Sequence, residues 1–351
     1  MDRTYYLELA AKGLRMPIGA DLLLNEQSDP ESCRLNGDCL GGVIVETAKR
    51  FHTPLAFSLM DLQVEKEWLL KGLGVDQEDI DSYHFDLDRG IPEQEQMPKI
   101  LSTENTPRMN AFLESIRFVA QNSNLVPVGM CIGPFSMMTK LFSDPITEVY
   151  QVNVDREDKD SIEVLSALEI STQVIIRWIA LQVDAGAKAI CVCEPAYNTV
   201  YISPNQIKRN PEILDTLVLN YHRLIKRFLE ERGIDLIFHD CGELNEAIIA
   251  SLNILDPAIL SLGSSCDLPS IAHLVNRQTV LFGNLPSKKF YSDEEITEQQ
   301  VREYVAVLTS QMEKTGHLFI VGSECDVLSV PGCERTIMKK AMAIVNEEFS
   351  F

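Results

Sequence analysis

The sequence predicts an α/β protein folded as one (β/α)8 TIM barrel, spanning residues 1–351 as a single domain with a short N-terminal extension. Three observations predict it. Short apolar, β-branched runs recur eight times, and longer stretches with helical periodicity lie between them. No Gly-, Ser- or Pro-rich linker and no internal repeat divides the chain. Its 351 residues are too many for one small domain and ample for eight strand–helix units. Strands that alternate with helices imply a parallel sheet, and eight such units imply a closed barrel.

The candidate strands follow in order: 16–24 (MPIGADLLL), 54–60 (PLAFSLM), 125–132 (LVPVGMCI) and 187–193 (AKAICVC). The second four are 234–239 (IDLIFH), 257–262 (PAILSL), 279–283 (TVLFG) and 317–322 (HLFIVG). Between them, Leu214, Leu217, Val218, Tyr221, Leu224, Ile225 and Phe228 share one helical face, with Asn210 and Pro211 as N-cap and first-turn residue. Val301, Tyr304, Val305, Leu308 and Met312 form a second stripe. Leu165, Leu168, Ile175 and Ile179, with Trp178 beside them, form a third. Such stripes read as core. The acidic, aperiodic segment 76–96 reads as a solvated excursion after the second strand.

Composition narrows the function. There are 31 Lys and Arg against 52 Asp and Glu, a formal charge of −21. So acidic a chain argues against nucleic acid and against an anionic membrane surface as partners. The N-terminus lacks the basic start and apolar core of a secretory signal, and no uninterrupted apolar run is long enough for a bilayer, so a cytoplasmic location is expected. The nine cysteines are odd in number, and reduced thiols are expected rather than a disulfide framework.

In such a barrel, chemistry sits where strands end at the C-terminal face. His239 and Cys241 end the fifth candidate strand two residues apart, so both side chains point the same way. Cys325 lies just past the eighth, on the same rim. One imidazole and two thiolates suit zinc, and three protein ligands leave the open position of a catalytic site. Cys266, past the sixth strand, competes for the third place. Cys333 is also near but is expected to start the last helix.

These residues carry a resemblance. From about residue 15 to 347 the chain resembles the uroporphyrinogen decarboxylase superfamily, in FSLMDLQVEKEWLLKGLG (57–74), GPFSMMTKLF (133–142), LFGNLP (281–286) and SECDVLSVPGCERTIMKKAM (323–342). The decarboxylases carry an N-terminal Arg-Gln-Ala-Gly-Arg motif that holds substrate carboxylates; here the matching stretch, MPIGADLLLNEQ, has no arginine pair. Asp61 matches their pyrrole-binding aspartate. A second branch, related to methylcobalamin:coenzyme M methyltransferases, has a His-x-Cys…Cys zinc motif, which His239, Cys241 and Cys325 match. The resemblance thus implies Cys325 over Cys266. After that cysteine the branch often has Pro and Thr-Pro, where this chain has LSVPGCERT.

The resemblance implies a zinc-dependent methyltransferase of one-carbon metabolism. It would move a methyl group between a corrinoid and a small acceptor or donor, a thiol by preference. The chain has no Asp-x-His-x-x-Gly stretch of the kind that ligates cobalt, so the corrinoid is expected on a partner protein. Asp61 and Glu194 are the candidate catalytic carboxylates, to touch substrate or orient a ligand, and Asn284 is the candidate cofactor-binding residue, expected to shape the rim through backbone hydrogen bonds. Tyr197 and Asp240 are weaker candidates; His84, His222 and His273 are assigned nothing. The alternatives are a uroporphyrinogen decarboxylase, which needs basic residues at the rim and no metal, and a non-catalytic barrel that binds a corrinoid protein.

Overall fold

The computed structural model describes residues 3–87, 90–349 and 351. Eight strands form it: β1 (Arg15–Ile18), β2 (Leu55–Phe57), β3 (Val126–Ile132), β4 (Ala189–Cys193), β5 (Asp235–Asp240), β6 (Ile259–Leu262), β7 (Val280–Leu285) and β8 (Phe319–Asp326). All neighbouring pairs are parallel, in the order β1-β8-β7-β6-β5-β4-β3-β2. Helices surround the sheet, giving a nearly closed (β/α)8 TIM barrel. At the seam between β1 and β2, Thr53 Oγ1 reaches Met16 Sδ at 2.8 Å.

All eight expected strands occur, but two differ at their ends. The run 16–24 is strand only to Ile18; Ala20–Leu24 is a helix. Leucine favours helix over strand, and Leu22, Leu23 and Leu24 are all buried there. β8 extends to Asp326, because Ile18 of β1 pairs with Asp326. Cys325 is therefore inside the last strand rather than beyond it.

The helical stripes pack as core, with one shift. Asp215–Leu219 form a π turn. Its wider turn changes the helical phase, so His222 is buried at 1% exposure while Leu224 is 45% exposed. Asn210 does not cap that helix; it ends the helix Pro204–Arg209, and its side chain donates to Asn153. The excursion 76–96 is anchored by buried Ile80 and by Phe85, which meets Phe142 edge-on. The helix Lys159–Ala185 is long and apolar enough to cross a membrane by composition, and its buried residues, Trp178 among them, pack inside the protein.

The expectation of reduced thiols is corrected at one pair. Cys33 and Cys39 form a disulfide across the turn between helices Pro30–Arg34 and Gly37–Arg50. That short turn folds the chain back and brings their Cα atoms to 5.3 Å, a bridging distance. The other seven cysteines are free.

Candidate metal centre at the barrel mouth

β5 and β8 are not neighbours, yet their C-terminal ends converge across the barrel mouth. One ligand atom each from His239, Cys241 and Cys325 lies within 4.8 Å of the others. Strand alternation brings His239 and Cys241 to the same side, as their spacing predicts. His239 is buried, and its Nδ1 lies 2.8 Å from Ser261 Oγ on neighbouring β6. Among the described residues its Nε2 has no hydrogen-bond partner. A buried, unpaired ring nitrogen beside two thiols is a donor set that could hold a metal ion.

The thiols are electrostatically coupled. A hydrogen bond from Cys325, and then the proximity of His239, draw Cys241 down to about 4. The same contact raises Cys325. The pair thus readily gives up one proton and resists losing the second. A divalent cation removes that resistance, because it stabilises both thiolates at once. The donor set, nitrogen plus two sulfurs, fits zinc with one position left for substrate.

The loop after β6 passes tightly over this centre. A Cβ at Gly263 would lie 2.8 Å from Cys241 Cα, so only glycine permits the approach. Asn284 fastens that loop: its Nδ2 donates to the carbonyls of Gly263 and Cys266. Asn284 follows a cis peptide with Gly283 and is buried. It is a strut for the rim, not a residue of the cavity beside Cys325. Cys266 lies off the ligand triangle, in a separate groove with Asn284, and burial pushes its thiol up to about 11.

Glu194 is fully buried. Oε1 accepts from the Ser136 amide, and Oε2 from the Phe135 amide and from His222 Nε2 at 2.6 Å. Its own amide donates to the His239 carbonyl. Of the two roles expected for Glu194, the geometry leaves it no free oxygen for substrate and gives it a positioning one. Asp61 is different: it lines the mouth cavity and pairs with Arg108 at 3.3 Å. Tyr197 is buried and bonded to Ser251. Asp240 is buried, with Oδ1 accepting from Gly242 and Oδ2 without a partner among the described residues.

A cavity of about 430 Å³ opens beside the centre, with Cys325 and Met60 in its lining. Met60 Sδ is 3.8 Å from Cys325 Sγ. Sequence reasoning missed Ser261, His222, Met60 and the cavity's Lys140. Only Ser261 had a possible signal, since β6 had to run beside β5. Its register with His239 is a tertiary fact.

The model of the uroporphyrinogen decarboxylase (URO-D) family matches residues 40–339, and the chain belongs to that family. Comparison with curated proteins finds no match. Among solved structures, a methyltransferase from Methanosarcina mazei superposes with a TM-score of 0.66 at 15% identity, over 97% of this chain and 98% of that one. A chain from Listeria monocytogenes, described as a vitamin-B12 independent methionine synthase, gives 0.48 and 13% over 94% of each chain. At such identities the likeness is one of fold.

Proposed function

We propose that this member of the uroporphyrinogen decarboxylase family is a zinc-dependent methyltransferase that works with a corrinoid protein. The observation that carries the reading is that a ring nitrogen of His239 and the thiols of Cys241 and Cys325 lie within 4.8 Å of one another, while the buried Nε2 has no hydrogen-bond partner among the described residues. The methyltransferase from Methanosarcina mazei, similar in fold, is consistent with it.

His239, Cys241 and Cys325 would hold the ion. Zinc bound there supplies a Lewis acid that lowers the pKa of an entering thiol or polarises a methyl donor. Ser261 Oγ lies 2.8 Å from Nδ1 of His239; with the proton on Nδ1 it would accept that hydrogen bond and leave Nε2 as the ligand atom. Asn284 and Gly263 hold the loop over Cys241, and Met60 Sδ lies 3.8 Å from Cys325 Sγ. The cavity beside Cys325 admits the small substrate, and the cobalt arrives at the mouth on its own protein. In the thiol direction, the thiolate sulfur forms a bond to the methyl carbon as the cobalt–carbon bond breaks. The electron pair leaves with cobalt, as cobalt(I), and the thiol proton goes to solvent. A demethylation runs the other way.

The test is zinc-loaded protein with methylcobalamin and a panel of thiols, followed by the corrin absorption spectrum. Thiol-dependent loss of methylcobalamin that disappears with a Cys241→Ala change is expected. No turnover by thiols, and no transfer to cobalt(I) from methyl ethers or amines, would leave a binding barrel without catalysis.

Decarboxylation of a porphyrinogen is the second reading, favoured by Asp61 at the cavity wall. Against it, Asp61 is engaged by Arg108, and the segment 16–27 offers no arginine pair. Incubation with uroporphyrinogen should give no coproporphyrinogen; turnover that survives chelation of zinc would restore this reading.

A further inference from the structure

Three protein donors leave one place on a tetrahedral ion. Histidine, cysteine, aspartate and glutamate do not supply the fourth: among the described residues, only His239, Cys241 and Cys325 bring their ligand atoms within 4.8 Å of one another. Asp61, on the same rim, pairs with Arg108 at 3.3 Å. Cys193 sits beside His239 in the register of β4 and β5, but its Sγ contacts Met130 Sδ at 3.3 Å.

A thioether does stand at the site. Met60 Sδ lies 3.8 Å from Cys325 Sγ, and both residues line the mouth cavity. Two sulfurs that each bind a tetrahedral zinc at about 2.3 Å lie about 3.8 Å apart, so the separation is the one that shared ligation needs. Ordinary packing allows the same distance, and donor type and anchoring decide between the two. Thioether sulfur is a soft donor, of the class that suits zinc. It is uncharged and has no proton to lose on binding. The turn that carries Met60 is tied down: the Asp61 amide donates to the Leu59 carbonyl at 3.0 Å, and the Leu62 carbonyl accepts from Lys140 Nζ at 2.7 Å. The methionine side chain itself has three rotatable bonds, so Sδ can swing aside while the turn stays put.

We propose that Met60 is a displaceable fourth ligand of the metal centre, its thioether capping the ion at rest and yielding to the entering substrate. The inference rests on the zinc methyltransferase reading and adds how the fourth position is kept and opened. Two thiolates already neutralise a divalent ion, and a neutral thioether adds no charge to hold it there. A substrate thiolate brings a full negative charge and displaces it. In that exchange the metal–thioether bond breaks, the metal–thiolate bond forms, and the thiol proton goes to solvent. Until then the thioether keeps solvent off the ion.

The experiment is X-ray absorption at the zinc edge on zinc-loaded protein whose methionines are replaced by selenomethionine, without any corrinoid. The zinc shell should contain one selenium at roughly 2.4 Å, a scatterer that no other ligand supplies. Met60→Leu should remove the selenium and put a light atom in its place, while Met130→Leu should keep it. Excess ethanethiol should replace the selenium by sulfur. A crystal structure of the unaltered zinc-loaded protein should show Met60 Sδ bonded to the ion, which decides the matter even where Met60→Leu does not fold. Zinc held by His239, Cys241 and Cys325 with no selenium, or a selenium that survives Met60→Leu, overturns this inference alone. A selenium that excess thiol cannot displace makes the ligand permanent and overturns it too. Protein that takes up no zinc sinks the metal reading, and this proposal with it.

Discussion

The hydroxyl of Ser261 lies 2.8 Å from Nδ1 of His239, and it is that ring's hydrogen-bond partner. The contact decides which nitrogen faces Cys241 and Cys325. If Nδ1 carries the proton, Nε2 offers its lone pair to a metal. Ser261→Ala should therefore leave the fold intact and weaken zinc binding by about 10- to 100-fold. Competition with a chromogenic chelator measures this; an unchanged affinity would mean that Ser261 does not orient the ring.

Purified protein should contain about one zinc per chain. Cys241→Ala and Cys325→Ala should each remove it while the far-ultraviolet circular dichroism stays the same, because neither side chain is part of the barrel core. Cys266→Ala should keep the metal, since Cys266 stands off the ligand triangle. Elemental analysis of the three variants checks the assignment, and the reverse pattern for Cys266 and Cys325 would refute it.

Glu194 ties β4 to the segment after β3 and to the helix carrying His222. Glu194→Ala strands two amide donors and an imidazole in a fully buried place. It should cost about 3–5 kcal/mol of stability in urea denaturation. Glu194→Gln, which keeps one carbonyl acceptor, should cost less. Equal, negligible losses would show that the hub is dispensable to the fold.

Glu65 is buried, and desolvation raises its carboxyl from 4.5 to about 8, against the opposing hydrogen bond from the Ile132 amide. Unfolded, the group ionises above 4.5; folded, it keeps its proton to about 8. Between those values the native state binds more protons than the unfolded one, so this group makes stability fall as pH rises and stops doing so above about 8. Glu65→Gln removes the titration. The variant's stability should decline less than that of the unaltered protein from pH 5 to 8; parallel curves from chemical denaturation would assign the carboxyl a normal pKa.

Local chemistry was legible where one residue's neighbours in the chain decide the outcome. Periodicity located eight strands, and the two-residue spacing of His239 on β5 and Cys241 just past its end put both on one side, since strand side chains alternate. It failed at 20–24, where apolar content looked the same for strand and helix. It also failed at Leu224, where a π turn changed the phase.

The sequence by itself determined the barrel, its rim, and a histidine–cysteine pair suited to a soft metal, because strand and helix periods are properties of short segments. Only the tertiary structure decided which cysteine completes the pair by geometry. Cys266 and Cys325 both follow or end barrel strands, and the closure of the barrel brings Cys325 inward while Asn284 holds the Cys266 loop aside. The same is true of Glu194, whose partners Ser136 and His222 come from distant segments. Cys33 and Cys39 met because a turn folded two helices together. Contacts between segments far apart in the chain depend on register and closure, which no local pattern records.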